Sequence, residues 1–433
     1  MPGLITRGLA HAALAGILLM TAGMVHLARA WHRFAGRRRE PRPFGQTRVL
    51  LVGSFYNENW FRSHALPLSK ATGIGRVYVV TDKPFFAMKK IEYVSPSERL
   101  RRILGRSLAR AWMVTVVAFR ERPDYFMGYH IMPNALLCLV AGSWCSGQTI
   151  YQMTGGPVQM IGGGFGSENV LLRRLGRHSA LLERAMIYIV KLFDCIVVRG
   201  EGATRFLRDC GVRSWIVTIC GSVDVDRFIP NGHTPTYDLV MVGRHIEEKR
   251  PHLFVDLVAR LRDVRPGIRA ALVGDGPLTP ALTDRVVRLG LSEHLAILGQ
   301  RDDVEEVLAV SRLFVLTSKS EGLSIAMAEA MAAGLPVLAP DVGDLGELLV
   351  DQVNGLWIDL NDMESTAHAA LALLDDPVRW ERMSYAARAA ACTRHAPLEI
   401  ARRWDRLLEQ MPGYTRLDSA AGEPASARSL DAA

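Results

Sequence analysis

The stretch RLFVLTSKSEGLSIAMAEAMAAGLPVLAP, Arg312–Pro340, decides the fold. An apolar run, RLFVLTS, gives way to a polar loop. A run of small apolar residues of helical length follows and stops at Gly334, just ahead of Pro336. A second apolar run, LPVLAP, completes a strand–helix–strand unit, whose strands are parallel. Two carboxylates interrupt this unit, Glu321 and Glu329, eight positions apart. Glu321 falls in the loop before a helix expected to start near Gly322–Leu323, and Glu329 lies about two turns along it. Eight helical residues span about 12 Å. Two carboxylates flanking one glycosidic bond need roughly 5–10 Å. The pair is therefore not an acid–base couple; it suits the two ends of one long ligand. Between them the N–H groups of Gly322, Leu323 and Ser324 form an anion-binding helix start.

The same alternation extends in both directions. TRVLLVGSF, RVYVVTD, PDYFMGY, QTIYQMTGG and DCIVVRG read as strands separated by longer segments of helical spacing. The pattern pauses at GSVDVDRFIPNGHTPT, which predicts a hinge near 222–236. It restarts with YDLVMVGR, RAALVGDGP and LAILGQ. Two doubly wound parallel sheets follow, with ligands expected in the cleft beyond the carboxyl ends of their strands. The expected divisions are an apolar segment and basic flank at 1–45, a first Rossmann-like domain at 46–228, a second at 229–394, a C-terminal helix returning to the first domain at 395–411, and a disordered low-complexity tail at 412–433.

At 433 residues the length suits two to three domains. The net charge of +8 is concentrated at one end, since residues 1–45 carry seven arginines against the single acid Glu40, which is +6. That flank abuts an apolar segment, Leu9–Ala28, of about membrane-spanning length. Three readings compete: a membrane anchor, an interfacial helix weakened as a span by its Gly, Ala and His residues, and a cleaved signal peptide ending at the small-x-small ARA of 28–30. Arg37–Arg39 argue against export and favour the cytoplasmic face of the membrane. A second basic amphipathic stretch, SERLRRILGRSLARAW at 97–112, suits either a solvated helix face or a membrane surface. Neither basic segment carries a nucleic-acid reading motif, so nucleic acid is not an expected partner. The six cysteines show no CxxC pair and read as buried thiols of a reducing compartment.

Loops after strands supply the candidate chemistry. VMVGRHIEEKRP ends a strand at Gly243 and sets Arg244 and Lys249 beside a helix start. Two cations there suit a diphosphate, or else form a solvated charged loop. The loop Gly299–Gln300–Arg301 closes another strand, where its backbone is placed to read a base. RPDYFMGYHIMPNALL puts His130 between a strand and a helix, as a cleft residue or a helix-capping core histidine. The glycines Gly155, Gly156, Gly162–Gly164 and Gly166 either line the cleft or form a flexible loop. Asp224-Val225-Asp226 has the DxD form that ligates metals elsewhere. It falls in the hinge, so a structural role is expected and no metal site.

The run from Val240 to Trp357 resembles the donor-binding domain of glycosyltransferase family 4, retaining enzymes with two facing Rossmann-like domains, the GT-B fold. The matching pieces are VGRHIEEKRP, LVGDGP, LGQRDDVEEVL and SEGLSIAMAEAMAAGLPVLA, the last carrying an E-x7-E spacing as Glu321 and Glu329. GSVDVDRFIP resembles the family's interdomain hinge. The resemblance implies transfer of a sugar from a nucleoside-diphosphate donor, a UDP-sugar more than a GDP-sugar, with no other cofactor. Arg244 and Lys249 would hold the diphosphate, Glu321 would face the transferred sugar, Glu329 would bind the ribose, and His130 would stand near that sugar. The acceptor expected from the membrane features is a lipid-linked oligosaccharide of polysaccharide or envelope synthesis. VGSFYNENW departs from the family's glycine-pair pattern at the first loop. An epimerase of the same fold and a catalytically silent partner subunit are the alternatives.

Overall fold

The structure, a computed structural model, describes residues 2–36, 42–55, 57–165, 172, 176, 178–230, 232 and 234–411. Residues 37–39 of the basic flank, Gly166 and the expected tail at 412–433 lie outside the described residues. The first unit runs α1 (Pro2–Phe34), β1 (Thr47–Val52), α2 (Glu58–Lys70), β2 (Ile74–Val80), β3 (Ile91–Val94), α3 (Glu98–Glu121), β4 (Tyr125–Tyr129), α4 (Leu136–Cys145), β5 (Gln148–Gln152), α5 (Ala180–Val190), β6 (Cys195–Val198), α6 (Glu201–Asp209) and β7 (Trp215–Thr218). Its strands form one parallel sheet of order β3-β2-β1-β4-β5-β6-β7. The central strands are largely apolar and buried on both faces, as a helix-covered parallel sheet requires.

The second unit runs β8 (Tyr237–Val242), α7 (Pro251–Val264), β9 (Ala270–Val273), α8 (Thr279–Arg288), β10 (Leu295–Gly299), α9 (Val304–Ala309), β11 (Ser311–Val315), α10 (Ile325–Ala332), β12 (Val337–Ala339), β13 (Gly355–Trp357), α11 (Met363–Asp375) and α12 (Pro377–His395). Its sheet order is β10-β9-β8-β11-β12-β13, again parallel. A last helix, α13 (Pro397–Gln410), lies on α2, where Ile400, Trp404 and Leu407 join the core under β1 and β4. Asp405 fixes it by accepting hydrogen bonds from the backbone of Thr72 and Gly73 and from the Thr72 hydroxyl, each at 2.8 Å.

The chain thus crosses between units twice, and the crossings touch. Val223 N–H donates to the His395 carbonyl, while the His395 ring bonds the Gly221 carbonyl, both at 2.8 Å. Further along the interface the first turn of α6 is closed by carboxylates of the second unit. The Gly202 N–H donates to Asp344 at 2.9 Å, and the Glu201 N–H to Glu347 at 2.8 Å. A Cβ on Gly200 would stand 2.3 Å from Asp344 Cγ, so that approach requires glycine.

α1 is long and apolar enough to cross a membrane. One face of it nevertheless belongs to the first unit. Ala15, Leu18, Ala22 and Val25 are buried against α4 and α5. His26 bonds the Tyr188 hydroxyl at 2.9 Å, and Arg29 donates to the Leu192 carbonyl at 2.6 Å. The opposite face exposes Leu9, Met20, Leu27, Trp31 and Phe34.

Candidate active site

The second sheet reverses direction between β8 and β11, the switch point at which a doubly wound sheet opens a crevice. The loops after those two strands are stitched together there. The Thr317 hydroxyl lies 2.7 Å from the Lys249 carbonyl and 3.0 Å from that of Arg250. Arg250 donates in return to the carbonyls of Thr317 and Ser318, at 2.8 and 2.9 Å. This frame brings Lys249 and Glu321 together as an ion pair at 2.5 Å, and the Ser318 hydroxyl donates to the same carboxylate oxygen at 2.6 Å. The Glu321 side chain is 8% exposed and that of Lys249 22%, so the pair works at reduced dielectric. Arg244 follows Gly243 at the end of β8 and is partly exposed.

Behind Glu321 stands Gly343, at φ +61°. A Cβ there would meet the Glu321 carbonyl at 1.8 Å, so the loop's position depends on that glycine. In front stands the first unit. A Cβ on Gly322 would lie 3.6 Å from the Thr154 carbonyl and 4.0 Å from the Arg199 Cβ. The loop therefore faces the carboxyl ends of β5 and β6 across the cleft.

The helix after this loop starts later than its sequence suggests. Ser324 is the N-cap of α10, its hydroxyl accepting from the Met327 N–H, and the helix begins at Ile325. Gly322 and Leu323 belong to the approach loop. The physical reason is that a serine hydroxyl satisfies an otherwise orphaned helix-start N–H, whereas glycine and leucine cannot. Glu329 lies on the buried inner side of α10. Burial pushes its carboxyl up to about 8; the Arg227 guanidinium opposes this and the Glu305 carboxylate adds to it. Arg227, on the crossing segment, bonds Glu305 at 2.5 Å, Asn59 of α2 at 2.7 Å and the Asp302 carbonyl. It therefore ties the Glu329 environment to the first unit.

Gly299 ends β10 at φ +67°, and its carbonyl accepts from the Gly274 N–H at 2.8 Å. Gln300 is exposed, and Arg301 is taken up by Asp303 two residues on. Gly274 in turn needs its missing side chain, because a Cβ would lie 1.9 Å from the Gly243 carbonyl. Glycines thus rim the adjacent ends of β10, β9 and β8.

On the facing unit His130 closes β4 at φ +56°, a left-handed conformation uncommon outside glycine. Its ring lies parallel to that of Trp60, with centroids 6.0 Å apart, and Gln159 approaches its Nδ1 at 3.2 Å. Gly162–Gly164 turn against Gln159 and Leu182, and the Gly162 N–H donates to Glu183 at 2.7 Å. The glycine-rich loop is thereby tied down behind His130. The Asp224 carboxylate of the DxD triplet lies 3.6 Å from Arg62, and its backbone carbonyl accepts from the N–H groups of Arg227 and Phe228.

Two residues escaped the sequence reading. Arg227 follows the DxD triplet, where a cation after two acids was the available signal. Arg199 ends β6, is 6% exposed, and donates to the Ile219 carbonyl and to Gln152, the latter at 3.2 Å. Its apolar strand gives no hint that it faces the cleft.

Residues 223–390 match the family model of glycosyl transferases group 1. The lipopolysaccharide core biosynthesis glycosyltransferase LpsE of Rhizobium meliloti is 30% identical over 189 residues, 42% of this chain and 54% of that protein. The UDP-Gal:alpha-D-GlcNAc-diphosphoundecaprenol alpha-1,3-galactosyltransferase of Escherichia coli is 31% identical over 146 residues, 33% of this chain and 38% of that one. The aligned region thus spans about half the length of the first relative and less of the second. Among solved structures, Anabaena HepE in complex with UDP superposes with a TM-score of 0.63 at 17% identity, covering 84% of this chain and all (100%) of that one. Sucrose-phosphate synthase from Thermosynechococcus elongatus gives 0.66, also at 17% identity, over 84% of this chain and 99% of that one. The architecture is GT-B: two facing Rossmann-like units with an N-terminal apolar helix.

Proposed function

We propose that this protein is a retaining glycosyltransferase. It moves a sugar from a nucleoside-diphosphate donor to a hydroxyl of a lipid-linked acceptor, in cell-surface polysaccharide or envelope glycan synthesis. The observation that carries the reading is the Lys249–Glu321 pair at the switch point of the second sheet, with Glu329 buried along the helix that leaves it. A cation and a carboxylate held side by side offer opposite charges to opposite parts of one donor. Lys249 and Arg244 take the diphosphate, where negative charge grows as the glycosidic bond breaks. Glu321 accepts from hydroxyls of the transferred sugar, and Glu329 from those of the ribose. The leaving phosphate then takes the acceptor's proton, and His130 faces the transferred sugar from the other unit.

Support for UDP over GDP comes from the relatives: the Escherichia coli protein is named for UDP-galactose, and HepE was crystallised with UDP. A lipid-linked acceptor fits that same relative, named for a diphosphoundecaprenol substrate. α1 is read as lying on the cytoplasmic face of the membrane, because a helix with one face in a protein core cannot also be ringed by lipid. A thermal-shift screen of nucleotide sugars tests the donor. A UDP-sugar is expected to stabilise the protein, and transfer from it to a lipid extract is expected to follow. Conversion of the donor without any acceptor would point instead to an epimerase.

A further inference from the structure

The glycine-rich loop after β5 is built around one side chain, Gln159, which is 7% exposed. Two glycines close on it. A Cβ on Gly155 would lie 2.8 Å from Gln159 Nε2 and 3.0 Å from its Cγ. A Cβ on Gly164, at φ +73°, would lie 2.6 Å from the Gln159 backbone carbonyl oxygen. The carboxamide held in this way bridges two rings. Its Oε1 lies 3.0 Å from the Tyr151 hydroxyl, and its Nε2 lies 3.2 Å from His130 Nδ1.

These contacts fix where the protons lie. Tyr151, on β5, is fully buried in the core of the first unit. Burial pushes its phenol well above the ordinary range, so it stays protonated and has a proton to donate. Gln159 Oε1 is the acceptor the structure gives it. Turning the amide over would strand that proton among apolar neighbours. With Oε1 facing the phenol, Nε2 and its protons face His130. His130 Nδ1 must then accept with its lone pair, and the proton of the neutral ring sits on Nε2. An imidazolium would set a second N–H against the amide protons. A ring in this tautomer donates through Nε2. It takes up no proton there, and at Nδ1 only by giving up Gln159.

We propose that Gln159, aligned by Tyr151 and clasped by Gly155 and Gly164, is a positioning residue that holds His130 as its Nε2–H tautomer. His130 then gives a hydrogen bond to the transferred sugar and leaves the acceptor's proton to the departing phosphate. This assignment rests on the glycosyltransferase reading and deepens it by fixing what the ring can do. His130 Nε2 is shielded from water, so its proton should exchange slowly enough to be seen by NMR. In the full chain with isotope-labelled histidines, the His130 ring, identified by its loss in His130→Ala, is expected to show a bonded proton on Nε2 and none on Nδ1. Gln159→Glu, an acceptor of the same shape, is expected to put a proton on Nδ1. Gln159→Met, and separately Gly155→Ala at an ordinary φ of −98°, should lower kcat for transfer to a lipid extract by about tenfold, the loss of one aligned hydrogen bond. KM for the UDP-sugar and UDP affinity by calorimetry should not move. In a His130→Ala background Gln159→Met should cost nothing further, as a residue acting only through that ring must. A proton on Nδ1 in the wild type would overturn the assignment. So would a loss from Gln159→Met that keeps its full size without the histidine. The tautomer is read without substrate, so a chain that shows this signature and transfers no sugar from any UDP-sugar would sink the glycosyltransferase reading instead.

Discussion

The Glu329 carboxyl ordinarily titrates near 4.5 and is held at about 8 in the fold. Between those values the folded protein keeps a proton that the unfolded chain has lost, so stability falls as pH rises through that window and is unaffected below it. Glu329→Gln removes the penalty. Its melting temperature should exceed the wild type's by a few degrees at pH 8, with the gap closing toward pH 4.5. The same proton bears on ligand binding. Ribose hydroxyls donate to a carboxylate, so UDP binding near pH 7 should release a proton, visible as a dependence of calorimetric enthalpy on buffer ionisation heat and absent in Glu329→Gln. At the other end of the site, Lys249→Ala and Glu321→Ala should each nearly abolish transfer while the protein stays folded. They should differ in UDP binding: Lys249→Ala loses roughly tenfold or more in affinity, as the loss of a charge-assisted contact implies, whereas Glu321→Ala frees the lysine and binds UDP at least as well. Normal turnover by either purified variant would falsify the assignment.

Gly343 and Ser324 belong to the same loop–helix element and fail differently when changed. Gly343→Ala forces a Cβ onto the Glu321 carbonyl, so the loop must move. Transfer should collapse and the melting temperature should fall with it, because the clash is with backbone and the positive φ strains any side chain. Ser324→Ala removes only the cap, about 1 kcal/mol, and should lower the melting temperature slightly with activity largely kept. At this scale the sequence reveals more of the centre than of the rim. Continuous apolar runs mark β1, β2, β4, β5, β6, β8, β9, β10, β11 and β12. The three strands the sequence reading does not include, β3, β7 and β13, are all sheet edges of three or four residues, and β3 and β7 are only partly buried. A strand paired on one side needs no long apolar run. The start of α10 differs from its sequence expectation for a related reason: glycine suggests a break, but the capping hydroxyl two residues later sets the boundary.

Across the whole molecule, contacts between distant segments decide what the pattern cannot. Lys249 and Glu321 are visible as single candidates, yet their pairing across 72 positions follows from the sheet order and not from any spacing. Arg199 is hidden in the same way. α1 illustrates the converse. Its apolarity suggested a span, and its burial shows what removal entails: deleting residues 2–34 uncovers the core around Leu18 and Val25 and should yield less soluble, less stable protein, read by soluble yield and melting temperature. The carboxylates at the start of α6 make a further prediction. Asp344→Ala should loosen the interface by about 1 kcal/mol, roughly a fivefold change in population, and raise the radius of gyration measured by small-angle X-ray scattering. How the units then part follows from the two chain crossings at Gly221–Val223 and His395, which are bonded to each other. Two strands of chain passing through one spot act as the pin of a pair of tongs. They permit swing about that point and resist both sliding and separation, so the jaws travel farthest at the end remote from the pin.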